Sequence, residues 1–179
     1  MAPMDEKGLY QNGCETILVS ACLLGLPTRY DGRAKQSEEV LDFLQREKLT
    51  PVPVCPEQLA GMTTPRDKTF FQSGDGQAVL SGSGEAVSEQ GLSMNDVFCR
   101  GAKLTLEIAH LSGCRKALLK EGSPSCGVHR VYLVDEKVPG VGVTSALLLN
   151  SGIDIISEED IESPPQKQTK ALLDPDKIR

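Results

Sequence analysis

Three short apolar runs in this 179-residue chain each lead to a cysteine and a turn. Cys22 follows Ile17-Leu18-Val19-Ser20-Ala21, and Cys55 follows Pro51-Val52-Pro53-Val54. Cys126 closes the turn Gly122-Ser123-Pro124-Ser125, just past Ala117-Leu118-Leu119. Continuous apolar runs of this length are the pattern of strands buried on both faces, which parallel sheets covered by helices require. If the runs are parallel strands of one sheet, the three sulfurs gather at its carboxyl edge, where open α/β folds bind ligands. Three thiolates with no fourth leave a coordination position open, which a catalytic metal needs and a structural one avoids.

Helical patterns separate the runs. Over Ser37 to Lys48, Ser37 can cap, Glu38 and Glu39 suit the positive N-terminus, and Val40, Leu41 and Leu44 share a face. Ser93 to Leu111 carries Met94, Val97, Phe98, Gly101, Leu104, Thr105 and Ile108 at helical spacing. Ser93 and Asp96 resemble a capping box there, and Gly113 ends the helix. Ile17–Cys22, Pro51–Cys55, Lys116–Lys120 and Ile153–Ile156 read as strands, and Thr144 to Asn150 as a short helix. The prolines of the second run suit an edge strand. Residues 61–92, with Gly74, Gly76, Gly82 and Gly84, read as a loop or weak hairpin around Ala78-Val79-Leu80, in the manner of a lid. The alternation of strand and helix predicts an α/β domain, three-layered and Rossmann-like, with a mostly parallel sheet and helices on both faces. That domain spans 16–159, between tails at 1–15 and 160–179.

Composition narrows the function. A net charge of -6 argues against a broad phosphate-binding face. The absence of Trp and an aromatic content of 4% argue against stacking platforms for single-stranded nucleic acid. A small neutral substrate fits better. No run is long and apolar enough to span a membrane, and Met1 to Gly13 lacks the apolar core of a secretion signal, which points to the cytoplasm. There, six cysteines are expected to be reduced, metal-bound or catalytic rather than paired. No CxxC pair supports a compact zinc finger.

The remaining candidates each carry two readings. Cys99 inside the long helix and Cys114 after it read as small buried hydrophobes, and Cys14 as an idle tail residue. Glu57, two residues past Cys55, is either a general acid or base or a first-turn helix carboxylate. Ser123 and Ser125 either orient a ligand or belong to a plain Ser/Pro turn. Arg29, Asp31 and Arg66 either contact a flat carbonyl ligand or form an Arg–Asp pair between loops. His110 and His129 are not read as metal ligands. The turn Leu23 to Lys35 lacks a GxGxxG or Walker pattern.

In order along the chain, Val19-Ser20-Ala21-Cys22-Leu23-Leu24-Gly25, Arg29-Tyr30-Asp31-Gly32, Val54-Cys55-Pro56-Glu57-Gln58, Thr64-Pro65-Arg66, Leu119-Lys120-Glu121-Gly122-Ser123-Pro124-Ser125-Cys126-Gly127 and Gly142-Val143-Thr144-Ser145-Ala146-Leu147-Leu148 resemble the small bacterial thiouracil desulfidase family. The resemblance covers about Ile17 to Glu158. It implies a [4Fe-4S] cluster held by Cys22, Cys55 and Cys126, whose fourth iron takes the sulfur of a thiolated pyrimidine. Water replaces that sulfur, giving the oxo-pyrimidine and sulfide. It further implies that Glu57 handles protons and that Ser125 and Ser123 orient substrate or stabilise developing charge. Arg29, Asp31, Arg66 and Lys120 become the substrate contacts. Thr28 stands where many relatives carry a second cysteine, one outside the cluster ligands. The alternatives left open are a zinc protein using the same thiolates and a non-catalytic nucleotide- or RNA-binding module. The acidic chain favours a free base or nucleoside over tRNA as partner, and oligomeric state is not set.

Overall fold

A computed structural model describes residues 15–161; the tail readings at 1–14, Cys14 included, and at 162–179 lie outside the described residues. In chain order the elements begin with β1 (Thr16–Ser20), α1 (Glu38–Arg46), β2 (Thr50–Val54) and α2 (Pro56–Leu59). Next come β3 (Thr69–Ser73), α3 (Gly76–Leu80), β4 (Glu85–Ser88) and α4 (Asn95–Leu111). The chain continues through β5 (Lys116–Leu119), β6 (Arg130–Leu133), β7 (Glu136–Pro139), α5 (Val143–Asn150) and β8 (Asp154–Ser157).

The first sheet runs β2-β1-β5-β8 and is parallel throughout. β2 lies at its edge, where a strand with one neighbour tolerates the missing N–H groups of Pro51 and Pro53. Successive side chains of β1 point to opposite faces. Ile17 and Val19 pack with Val40 and Leu44 of α1, while Leu18 packs with Ala109 of α4 and Leu148 of α5. β5 divides the same way, with Leu118 on the first face and Ala117 and Leu119 on the second. The result is the three-layer, Rossmann-like α/β arrangement, with α1 on one side and α4 and α5 on the other. Ile17, Leu18 and Val19 are fully buried, a contribution of about 1.5–3 kcal/mol each. α1 starts as its residues dictate, the Ser37 hydroxyl accepting from the Val40 N–H.

A second, mixed sheet runs β4-β3-β6-β7. β3 pairs antiparallel with β4 and parallel with β6, and β6 and β7 form a hairpin. Its core joins Phe71, Ala86 and Val131 to Phe98 and Ala102 of α4. The long helix α4 therefore serves both sheets, Phe98 and Ala102 facing one and Ala109 the other. It passes α2 so closely that a Cβ at Gly101 would collide with the Pro56 carbonyl oxygen.

This second sheet replaces the expected loop at 61–92. Ala78-Val79-Leu80 lies in a helix, not a hairpin, because the Asp75 carboxylate accepts from the Gln77 and Ala78 N–H groups and starts a turn there. Ser93 is not a cap: it bridges to Val87, and α4 begins two residues later. The Asn95 side chain, bonded to the Ala86 N–H and the Gly84 carbonyl, ties that start to β4. The first strand stops at Ser20, and Cys22 lies in a 3-10 turn over Ala21–Leu24.

Candidate active site

The carboxyl ends of β1, β2 and β5 open onto a pocket of about 470 Å³. Each strand delivers one thiol to its wall. Cys22 sits on the 3-10 turn after β1, which Gly25 closes at φ 94, a left-handed conformation that suits glycine. Cys55 is the extended residue that starts α2, with Pro56 in the first helical position. Cys126 lies on the loop after β5. All three line the pocket.

The Cys126 loop is held from inside. Glu121, 4% exposed, accepts from the Gly122 and Arg130 N–H groups at 3.0 and 2.8 Å through one oxygen and from His129 at 3.1 Å through the other. Ser123 Oγ accepts from the Ser125 and Cys126 N–H groups at 3.2 and 3.1 Å. Ser145 of α5 donates to the Cys126 carbonyl. Gly142 lets α5 come this close: a Cβ there would collide with the Ser125 carbonyl oxygen and stand 2.7 Å from the Cys126 nitrogen.

Two of the thiols, Cys22 and Cys126, sit in surroundings that oppose their ionisation. Burial, then the neighbouring Cys55, pushes the Cys22 thiol up to about 11. Burial and Cys55 drive the Cys126 thiol further above the ordinary thiol range. The Cys55 thiol donates to the Thr28 carbonyl, 3.6 Å away. Three sulfurs on one pocket wall, those of Cys22 and Cys126 buried and that of Cys55 half-buried, would repel one another as thiolates and call for a cationic group between them. Thiolates are soft ligands that select iron–sulfur clusters or zinc over hard cations. Among the described residues, no three His, Cys, Asp or Glu side chains are grouped to hold a single metal ion. A cluster spreads its thiolates over separate irons, and three thiols on one pocket wall are a donor set of that kind.

Beside the sulfurs, Glu57 and Arg66 form a pair with side chains 11% and 6% exposed. Arg66 Nε and Nη2 both meet Glu57 Oε2 at 2.5 Å. The remaining guanidinium bonds go to the Thr28 carbonyl at 3.1 Å, the Thr64 hydroxyl at 3.1 Å and the Thr63 carbonyl at 3.4 Å. Arg66 is thus committed to holding Glu57 and the loops around it. Lys120 also lines the pocket, with its ammonium on Glu158 and on the Glu121 carbonyl.

Arg29 lines the pocket and pairs with Asp31 at 3.1 Å, and its hydrogen bond holds the Asp31 carboxyl below the usual carboxylate range. Asp31 itself is outside the pocket wall, as is Ser125. Ser125 is 1% exposed and its hydroxyl faces Thr144 of α5 at 3.3 Å. The pocket therefore gathers Cys22, Cys55, Cys126, Glu57, Ser123, Arg29, Arg66 and Lys120, and leaves Ser125 and Asp31 behind them.

Several wall residues carry no sequence signal. Lys68, whose ammonium lies 5.5 Å from the Tyr132 ring centre, and Lys137 reach the pocket from the second sheet, which the sequence reading lacks. Glu121 is the exception, since an acidic residue in a Gly/Ser/Pro turn that must be buried to carry a cysteine is a recognisable anchor.

The family model described as 2-thiouracil desulfurase matches residues 17–160. The uncharacterized protein YbbK of Bacillus subtilis (strain 168) is 37% identical over 148 residues, 81% of this chain and 97% of that protein. A solved structure of the [4Fe-4S]-dependent thiouracil desulfidase TudS is 41% identical and superposes with a TM-score of 0.69, covering 81% of this chain and 91% of the other.

Proposed function

This chain belongs to the 2-thiouracil desulfurase family, and from that premise we propose that it desulfurates a thiolated pyrimidine, a thiouracil-like base or nucleoside. Its cofactor is a [4Fe-4S] cluster, as in the related TudS enzyme, held by Cys22, Cys55 and Cys126. The observation that carries this reading is the wall of one pocket, where three thiols from three strand ends stand beside a half-buried glutamate.

The reaction is a balanced exchange: water supplies oxygen to the ring carbon, and the sulfur leaves as hydrogen sulfide with no net electron transfer. When bound, the cluster supplies a thiophilic Lewis acid with a position the protein leaves free. The chain's own residues do the rest. Glu57, one oxygen fixed by Arg66, handles the proton of the attacking water or of the ring nitrogen through the other oxygen. Ser123, whose oxygen already accepts two backbone N–H groups, keeps its O–H to donate toward charge developing on the substrate. Ser125, turned to Thr144, supports the same loop from behind. Arg29 and Lys120 contact the flat ring's polar edge. Thr69 of β3, Tyr132 of β6 and Lys137 of β7 complete the pocket wall.

The catalytic domain is the 16–159 unit, and the protein acts in the cytoplasm. Among the described residues, no helix is long and apolar enough to cross a membrane. The acidic chain favours a free base or nucleoside over tRNA. The test is iron and acid-labile sulfide after anaerobic reconstitution, followed by loss of thiocarbonyl absorbance with thiouracil. About four of each per chain and turnover are expected. Stoichiometric zinc without labile sulfide would turn the reading to the zinc alternative.

A further inference from the structure

Thr28 has a hydroxyl with nothing to bond. Among the described residues, its oxygen is the one buried side-chain nitrogen or oxygen with no hydrogen-bond partner. The residue is 9% exposed and lines the pocket. Its main chain is fully engaged: the N–H donates to the Leu26 carbonyl at 2.8 Å, and the carbonyl accepts from Arg66 at 3.1 Å and from the Cys55 thiol at 3.6 Å. The backbone therefore holds Thr28 in place without help from the side chain. A hydroxyl taken out of water and given no partner destabilises the fold. Such a group in a pocket wall is explained when a bound group completes its hydrogen bond.

The sulfur beside it makes that group specific. The Cys55 sulfur lies 3.6 Å from the Thr28 carbonyl oxygen, so a group held by Cys55 sits against this residue. The donor that Thr28 still offers is its O–H. Resting on the cluster reading above, we propose that Thr28 is a positioning residue whose hydroxyl donates a hydrogen bond to sulfur of the group bound beside Cys55. Hydrogen bonds to ligand or cluster sulfur favour the more negative, reduced form and raise the reduction potential.

The experiment compares Thr28→Val, which keeps the shape and removes the O–H, with Thr28→Ser, which keeps the O–H. In cluster-free protein, Thr28→Val is expected to melt at or above the wild-type temperature, because an unpartnered polar atom has been removed. After reconstitution, its cluster potential is expected to shift negative, and Thr28→Ser to return toward wild type. A Thr28→Val protein that folds but fails to retain the cluster, where Thr28→Ser retains it, supports the same assignment. An unchanged potential in Thr28→Val overturns it. So does a lower melting temperature of the cluster-free Thr28→Val protein, or equal cluster loss in both variants. Wild-type protein that takes up no iron and labile sulfide overturns the cluster reading and this inference together. A loaded wild type with an unshifted Thr28→Val potential overturns only the inference.

Discussion

Glu57 meets Arg66 through a single oxygen, Oε2, so the pair fixes the carboxylate without consuming it. Glu57→Gln retains the size and loses the ability to take a proton. Cluster loading should stay at the wild-type level while turnover falls about 10²- to 10⁴-fold, the usual worth of a positioned general acid or base. Steady-state rates matched to iron content check this, and wild-type turnover would remove Glu57 from the mechanism. The cysteines separate by position. Cys22→Ser, Cys55→Ser and Cys126→Ser should each abolish cluster assembly, whereas Cys99→Ser, on α4 away from the pocket, should load normally. Iron and sulfide analysis of the four variants is the measurement, and a fully loaded Cys126→Ser protein would sink the ligand assignment. These sulfurs and Glu57 are legible in the sequence because each follows a strand end, where chain direction tells which edge of the sheet the residue reaches. The rotation of Ser125 toward Thr144 is not legible, since two hydroxyls one residue apart in a turn look alike until the turn closes.

Buried strands and long helices announce themselves, and short half-exposed ones do not. Ile17–Val19 and Ala117–Leu119 are apolar without interruption because both faces are covered. Arg130–Leu133 and Glu136–Pro139 mix charges with half-buried residues, and Val134 between them takes φ 56, which a β-branched residue rarely adopts. No local pattern predicts that hairpin; Val131, Leu133 and Val138 join it to a core shared with Phe98 and Ala102 of α4 and Val143 of α5. The contact between α5 and the Cys126 loop is where an element bears directly on the site. Gly142→Ala puts a methyl group against backbone atoms of Ser125 and Cys126 that have no rotamer to change. The loop or the helix must shift, at a cost of about 1–3 kcal/mol. The expected result is a lower melting temperature together with less iron per chain. Full loading at an unchanged melting temperature would show that the loop has slack the packing does not suggest.

The pocket belongs to the molecule rather than to either sheet. The parallel sheet supplies the thiols from three strand ends, while Lys68, Thr69, Tyr132 and Lys137 of the second sheet's segments form the facing wall. A group bound by Cys22, Cys55 and Cys126 therefore ties together β1, β2 and β5, which are 33 residues apart at the first step (55 minus 22) and 71 at the second (126 minus 55). The unfolded chain cannot present that arrangement, so binding free energy becomes folding free energy. Without the cluster, the same side chains add no cross-link, and burial pushes the Cys22 thiol up to about 11. The reconstituted protein should therefore melt above the cluster-free protein, each kcal/mol of linkage being worth about 2–4 °C for a chain of this size. Air should erase the difference, because an iron without a protein ligand is open to oxidation and cluster loss. Anaerobic calorimetry before and after air exposure measures both effects, with Cys126→Ser as reference. That variant should melt at one temperature under either condition. A loaded wild type that melts no higher than its cluster-free form would mean that the three strand ends are already locked by the fold alone.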